Sequence, residues 1–261
     1  MEHLSETNEY CSPEKNIGLL SRCWPSLVFH SRMLAIYRQG WWWALWGNYD
    51  DERWVYGSVR VLRTLESVGV RLEVENMGVT GRVKGPAVFI ANHMSTLETF
   101  IVPSLIRPYK EVTFVVKESL LTFPFFGRVM RSRNPVAVGR KDPKSDLRTV
   151  LEEGASRLSS GISIVVFPQT TRSDRFVPEK FNSIGIKLAK RASVPVVPIA
   201  LKTDAWEPGS ILKDFGPIDP SRKVHFAFGE PLEIEGSGRE QHEEIIRFIQ
   251  GKMEGWENES S

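Results

Sequence analysis

The spacing of hydrophobic residues changes near residue 69 of this chain. Before that point the apolar positions recur at helical spacing, as in 53–68, where Val55, Val59, Leu62 and Leu65 fall on one helical face. After it, short runs rich in Val, Ile and Phe alternate with helical patterns. Alternation of this kind predicts an α/β fold, with a mixed, mostly parallel sheet flanked by helices.

The elements of the second part are placed by their periodicity and by the Gly and Pro residues between them. We predict strands over 71–74, 87–91, 112–116, 136–138, 162–167, 196–201 and 224–228. We predict helices over 96–106, 145–159, 182–192 and 239–253. In sheets of this type the functional residues lie at strand ends or in the loops that follow them.

The N-terminal part has an unusual composition. Residues 1–16 are polar and are expected to be a disordered tail, whereas 17–69 has a helical pattern with a break at 47–51. Six of the eight tryptophans lie in the first 54 residues, and no Asp or Glu occurs between Lys15 and Tyr49. Trp favours the membrane–water interface, and basic residues favour anionic lipid. We therefore interpret 17–55 as an amphipathic helical segment that docks on a membrane surface. The alternative is a helical hairpin packed on the body with its tryptophans in the core.

Composition narrows the class of protein only slightly. The chain is 41% hydrophobic and 25% charged, as expected of an ordinary folded protein. Its formal net charge of +2 does not indicate a nucleic-acid partner. The two cysteines, Cys11 and Cys23, lack the spacing of a metal site and are expected to be free thiols. No apolar run reaches the roughly 18 uninterrupted residues that a membrane-spanning helix requires.

The first candidate for chemistry is the stretch "ANHMSTLETF", which follows the apolar run 87–90. A carboxylate bonded to one ring nitrogen of His93 would make the other nitrogen a directed base. Residues five apart on a continuous helix differ by about 140° in azimuth, so Glu98 can reach His93 only if His93 precedes the helix. Ser95 or Thr96 would then be the N-cap, and the helix N-terminus would be open to an anion. The same spacing recurs at His225 and Glu230, where we interpret His225 as structural.

Three further stretches carry candidate residues. "FPQTTRS" places Arg172 just past a buried strand, where a guanidinium could bind phosphate, or where the stretch could be a solvated turn. The stretch 115–142 is basic and aromatic, which fits a nucleic acid, an anionic lipid, a nucleotide head group or a solvated surface. "VPVVPIAL" is interpreted mainly as a buried strand.

Taken together, "NHMSTLE", "KESLLTFPFFG…NPVAVGR", "FPQTTRS" and "VPVVPIAL" resemble, in order and spacing, the four blocks of the glycerolipid acyltransferases. That family includes the 1-acyl-glycerol-3-phosphate acyltransferases, and the resemblance covers about 56–235. It implies that 56–254 is an acyltransferase domain. It also implies that His93 is the catalytic base and Glu98 the residue that orients it.

The resemblance extends to the substrates. It implies that Lys117, Arg140 and Arg172 hold the phosphate of a lysophospholipid acceptor, with Gln169 and Thr171 also contacting substrate. The proline-rich fourth block belongs to the acyl-donor side and the core. The donor would be acyl-CoA or acyl carrier protein, and no cofactor or metal is expected. With a polar N-terminus unlike a signal peptide, we expect a peripheral protein on the cytoplasmic face of a bacterial inner membrane.

Two departures from the family pattern leave alternatives open. Glu98 replaces the usual Asp, which adds about one C–C bond, roughly 1.5 Å, of reach. In the third block, Gln169 and Thr170 replace Glu and Gly of "FPEGTRS", so a cation that the Glu would anchor is expected to be freer to meet an anionic substrate. The alternatives to an acyltransferase are an inactive lipid-binding protein of the same fold and a thioester hydrolase.

Overall fold

A central sheet organises the computed structural model, which describes residues 8–124, 126–169, 171–210 and 214–259. The described strands form one sheet in the order β1-β2-β8-β7-β3-β6-β4-β5. Strand β1 is antiparallel to β2, and β7 is antiparallel to β8, whereas the other pairs are parallel. The strands are β1 (Tyr10–Cys11), β2 (Leu72–Glu75), β3 (Val88–Ala91), β4 (Val112–Lys117), β5 (Val136–Val138), β6 (Ser163–Val166), β7 (Val196–Lys202) and β8 (Val224–Phe228).

Helices cover both faces of this sheet. The helices are α1 (Leu19–Cys23), α2 (Pro25–Leu45), α3 (Asp51–Glu66), α4 (Val79–Arg82), α5 (Leu97–Ile106), α6 (Phe126–Arg131), α7 (Pro143–Ser159), α8 (Ile184–Ala192) and α9 (Arg239–Glu259). Successive residues of a strand point to opposite faces, so Phe89 joins the core under α2, α3 and α5. Val88 and Ile90 join the second core, under α7, α8 and α9.

The predicted α/β class with a mixed, mostly parallel sheet is confirmed. Each predicted strand is present with ends shifted by at most one residue, because buried β-branched runs between turn residues have few alternatives. The disordered tail predicted for 1–16 is wrong in part, since Tyr10–Cys11 pairs with β2. Residues 1–7 lie outside the described residues. The short helices α4 and α6 were not predicted.

The N-terminal segment is helical and packs on the body through one side only. Helix α2 buries Val28, Phe29 and Met33 in the core. Its outer side is mixed: Leu27, Leu34 and Trp42 are each more than half exposed, as is the C-cap Trp46, and Arg32 and Arg38 are exposed among them. An exposed α2 face with large apolar side chains departs from the amphipathic pattern that we expected. No helix in the described part of the chain has the length and apolar character needed to cross a membrane.

The parallel strands of the sheet all end at one edge. Strands β7, β3, β6, β4 and β5 are neighbours in this order and all run in the same direction. Their carboxyl ends therefore meet at one edge of the sheet, where ligands bind in α/β folds. Each predicted site residue follows or ends one of these strands.

Candidate active site

One large cavity lies along this edge and brings the predicted residues together. Its volume is about 2540 Å³, well above the roughly 300–1,000 Å³ of a typical ligand pocket. Six of the seven predicted site residues line it: His93, Lys117, Arg140, Gln169, Thr171 and Arg172. Glu98 is fully buried behind His93. The space is sufficient for two substrates beside one base.

A clamp between strands fixes the loop that carries His93. The side-chain amide of Asn92 donates to the carbonyl of Leu201 at 2.7 Å, and its oxygen accepts from the Leu201 N–H at 2.9 Å. Asn92 is buried, so both bonds are shielded from water. The amide thereby continues the pairing of β3 with β7 by one step beyond the strand end. The next residue, His93, enters the cavity at a defined point.

His93 and Glu98 form the pair that the sequence predicts. Nδ1 of His93 lies 2.7 Å from Oε1 of Glu98. Helix α5 begins only at Leu97, with Thr96 as its N-cap, so His93 sits in the loop before the helix as expected. Its ring stacks on Phe167, with centroids 4.6 Å apart. Bonding at Nδ1 and stacking on one face leave Nε2 as the nitrogen available to a substrate.

The buried carboxylate of Glu98 is surrounded by donors. Oε1 also accepts from the backbone N–H groups of Met94 and Ser95, at 2.8 and 3.0 Å. Oε2 accepts from the hydroxyls of Ser95 and Thr203, at 3.0 and 2.7 Å. Burial would raise the pKa of Glu98, but the bonds from His93 and Thr203 outweigh it and hold that pKa below its usual range. Glu98 is therefore ionised, as an orienting carboxylate must be.

This arrangement corrects the expectation of an open helix N-terminus beside the base. The N–H groups of Met94 and Ser95 bind Glu98, and the Leu97 N–H donates to Ser95 Oγ at 3.0 Å. The carboxylate of Glu98 thus takes the position near the helix N-terminus that an external anion would occupy.

Gln169 contacts the base from the opposite side. Its side-chain oxygen accepts from the His93 N–H at 2.6 Å, and the His93 carbonyl accepts from the Ser173 N–H at 3.0 Å. Gln169 is buried, although it borders the cavity. The structure therefore gives Gln169 a role in positioning His93, where we had expected contact with substrate. Thr170 lies outside the described residues.

The three predicted cations approach the cavity from three strand ends. Lys117 ends β4, and Arg140 follows β5 with a φ of 58°, a left-handed conformation that costs a non-glycine residue about 1 kcal/mol. Arg172 lies in the loop after β6, and its Nη1 is 2.6 Å from Oδ1 of Asp214. Burial would raise the pKa of Asp214, but bonds from Thr96 and Arg172 outweigh it and lower that pKa. Arg172 is thus paired within the protein, contrary to the expectation of a freed cation.

The second histidine with the same spacing is structural, as expected. His225 is buried in β8 and stacks on Trp256 at 4.9 Å between centroids. Its spacing partner Glu230 instead binds Arg82 at 2.9 Å. Glu73, His225 and Glu259 bring three possible metal-ligand atoms within 4.8 Å of one another, away from the cavity. Because Lys223 already neutralises Glu73 at 2.9 Å, this group is an ion-pair cluster.

Sequence reasoning missed residues that act through tertiary contacts. Asn92, Thr203 and Asp214 belong to no pattern of catalytic spacing, and Thr203 is more than 100 positions from Glu98 along the chain. For Asn92 a signal existed, since a polar residue directly after a buried strand often marks a strand-end site. For Thr203 and Asp214 the sequence carries no such signal.

Comparisons with known proteins give the family and the relatives to which this chain is similar. A family model described as Acyltransferase matches residues 71–202. A 1-acyl-sn-glycerol-3-phosphate acyltransferase of Pseudomonas aeruginosa is 29% identical over 192 residues, covering 74% of this chain and 69% of the relative. One of Cocos nucifera is 30% identical over 136 residues, covering 51% of this chain and 43% of the relative.

A solved structure shares the fold. It is the 1-acyl-sn-glycerophosphate (LPA) acyltransferase of Thermotoga maritima, with a TM-score of 0.59 and 19% sequence identity. The match covers 88% of this chain and 98% of that chain. At this identity the similarity concerns the arrangement of helices and strands.

Proposed function

The chain belongs to the acyltransferase family, and we propose that it transfers a fatty acyl group from a thioester to a hydroxyl of a lysophosphatidic-acid-like acceptor. The observation that carries the proposal is the 2.7 Å bond between His93 Nδ1 and a buried, ionised Glu98, at the wall of a cavity with three cations. The side chain of Glu98 reaches His93, so the pair is present although Glu98 stands where the family usually has Asp.

The reaction follows from the position of Nε2. Nε2 of His93 takes the proton of the acceptor hydroxyl as its oxygen attacks the thioester carbonyl. Glu98 stabilises the imidazolium that forms and holds the ring in one orientation. When the tetrahedral intermediate collapses, the carbon–sulfur bond breaks and the leaving thiolate takes the proton back from Nε2. The products are an ester and a free thiol, and the enzyme returns to its initial state.

The phosphate of the acceptor would lie among Lys117, Arg140 and Arg172. Guanidinium groups bind phosphate oxygens with two parallel N–H bonds, and an ammonium adds a compact charge. All three side chains border the same cavity as His93, so a phosphate held there keeps a nearby hydroxyl of the same molecule within reach of the base. The donor is an acyl thioester of CoA or of acyl carrier protein.

We also propose that the α1–α2 region docks on a membrane. Exposed apolar side chains continue from α2 to the border of the cavity. Those at the border are Leu34, Trp42, Leu120, Phe123 and Phe215. A helix whose outer side carries large exposed apolar side chains beside basic ones is typical of contact with a lipid surface. The basic residues Arg22, Arg32 and Arg38 favour an anionic surface. A lipid acceptor could then enter the cavity directly from the bilayer.

A product assay tests the proposed activity. The purified protein would be incubated with palmitoyl-CoA or palmitoyl carrier protein and a panel of lysolipids, with products read by mass spectrometry. We expect a diacyl phospholipid with wild type and with the control His242→Gln, and a loss of about 100-fold or more with His93→Ala. Lysolipid binding without thioester consumption would instead identify an inactive lipid-binding protein. Free fatty acid formed independently of lysolipid would identify a hydrolase.

A further inference from the structure

We propose that Thr203 is a positioning residue for the proposed reaction, whose hydroxyl fixes Glu98 Oε2 so that Oε1 remains bonded to His93. The inference rests on the proposed function for its kinetic consequences. Its structural content, a bond from the residue just past β7 that sets the orientation of the carboxylate, stands on the geometry alone.

The place of Thr203 in the fold is defined by the clamp at Asn92. Asn92 binds the backbone of Leu201 through two bonds, at 2.7 and 2.9 Å, which holds the end of β7 against the end of β3. Thr203 comes two residues after Leu201 and is fully buried. Its side chain therefore meets the carboxylate from a direction fixed by the sheet.

The other donors to Glu98 share its own segment of chain. His93, Met94 and Ser95 all lie in the loop that leads into α5, so their bonds hold the carboxylate to that loop. Thr203 Oγ1, at 2.7 Å from Oε2, ties the carboxylate to a different strand. This tie matters because Glu has one more rotatable bond than Asp, and a longer side chain needs a further contact to keep one orientation.

The hydroxyl proton of Thr203 can be assigned from the distances. Thr203 has one proton, and its shortest contact is the charged Oε2 at 2.7 Å, so it donates there. Ser95 Oγ lies 2.9 Å from Thr203 Oγ1 and 3.0 Å from Oε2, and it accepts from the Leu97 N–H at 3.0 Å. The resulting chain of bonds is polarised toward the buried carboxylate.

Removing the Thr203 hydroxyl has two expected effects. The carboxylate loses its tie to β7, so the His93 ring is held less firmly and the chemical step slows. Negative charge also concentrates on Oε1, next to His93, because Oε2 has lost a donor. A more concentrated charge favours the protonated ring, so the acidic limb of the rate profile moves to higher pH.

The test compares Thr203→Val, Thr203→Ser and Thr80→Val. Thr80 is also fully buried, in α4, and its hydroxyl has no hydrogen-bond partner among the described residues. For Thr203→Val we expect kcat to fall about tenfold with little change in either KM. The acidic limb of kcat/KM should move to higher pH. Thr203→Ser should restore both, and Thr80→Val should resemble wild type.

A structural role alone would give a different result. Thr203→Val would then lower the melting temperature without moving the pH profile or kcat of the folded fraction, and the proposal would be overturned. The proton on His93 Nδ1, observed by nuclear magnetic resonance, gives a readout that does not need turnover. If wild type transfers no acyl group but this resonance shifts in Thr203→Val and not in Thr80→Val, the proposed function fails and the positioning role stands.

Discussion

Arg172 and Asp214 form an ion pair at the cavity, with the guanidinium Nη1 2.6 Å from the carboxylate Oδ1. Thr96, the N-cap of α5, donates its hydroxyl to the same oxygen at 2.7 Å. The proposed phosphate-binding arginine thus holds a carboxylate of the protein itself. An incoming phosphate must share Arg172 with that carboxylate or displace the carboxylate from it. Either event lowers the affinity that Arg172 can provide for phosphate.

Asp214→Asn should strengthen binding of the phosphate-bearing acceptor. The pair is partly exposed, so its removal is worth up to about 1 kcal/mol, and the KM for the acceptor should fall by up to about fivefold. The KM for the thioester should not change. The matched control is Glu230→Gln, which removes an acid from the exposed pair with Arg82 at 2.9 Å. An acceptor KM that rises in Asp214→Asn would show that Asp214 contacts the substrate itself.

Glu98→Asp should lower activity, even though the resembled family usually has Asp at this position. The shorter side chain cannot keep both its bond to His93 and its bond to Thr203, and a misplacement of about 1 Å can reduce a rate about 100-fold. Glu98→Gln keeps the length but removes the charge that stabilises the imidazolium, and it should reduce kcat further, to about 10,000-fold below wild type. Steady-state kinetics measures the order of activity among wild type and the two variants. Circular dichroism of each variant checks that it is folded. A fully active Glu98→Asp would refute the argument from length.

Glu66 should link stability to pH through the N-terminal strand. It is buried in α3 and accepts bonds from Tyr10, from Ser12 at 2.9 Å and from Lys15 at 3.0 Å. Burial would raise its pKa, but these bonds outweigh burial and lower it. A lowered pKa stabilises the fold above the ordinary carboxyl range, and that stability is lost as pH falls through the folded value.

Glu66→Gln should therefore lower the free energy of unfolding at pH 7 by about 2 kcal/mol. The difference from wild type should shrink as the pH falls below about 5, because the wild-type carboxylate becomes protonated. Urea unfolding at several pH values measures both quantities. A difference that stays constant with pH would assign the loss to packing, with no contribution from the charge.

Trp42→Ser combined with Trp46→Ser should weaken membrane docking. Both side chains are more than half exposed on the outer side of α2. Sedimentation with vesicles of phosphatidylglycerol and phosphatidylcholine should show about tenfold weaker partitioning. Turnover of a short-chain, water-dispersed acceptor should be less affected, since it does not require the bilayer. Unchanged partitioning would contradict docking through α2.

The sequence predicts the sheet better than the site. Buried runs such as 196–201 have only one stable environment, so their position follows from composition and spacing. Pairing of His93 with Glu98 was also predictable, because both residues lie in one short segment. The bond to Thr203 was not, because it depends on β7 lying next to β3, and strand order follows from the packing of the whole chain.

The same limit explains the errors at the N-terminal end of the chain and around Arg172. Tyr10 pairs with β2 and donates its hydroxyl to Glu66, a contact between residues 56 positions apart. Asp214 lies 42 positions after Arg172, in a stretch without regular spacing. Local pattern contains no information on such distant partners.

The size of the cavity at His93 has a consequence for the order of events in turnover. A space of about 2540 Å³ admits donor and acceptor together, and His93 alone serves both proton transfers of the proposed reaction. We therefore expect direct transfer within a ternary complex, in which case initial-rate lines obtained at several fixed acceptor concentrations should intersect. Isotope exchange between the thioester and its free thiol should then require the acceptor to be present.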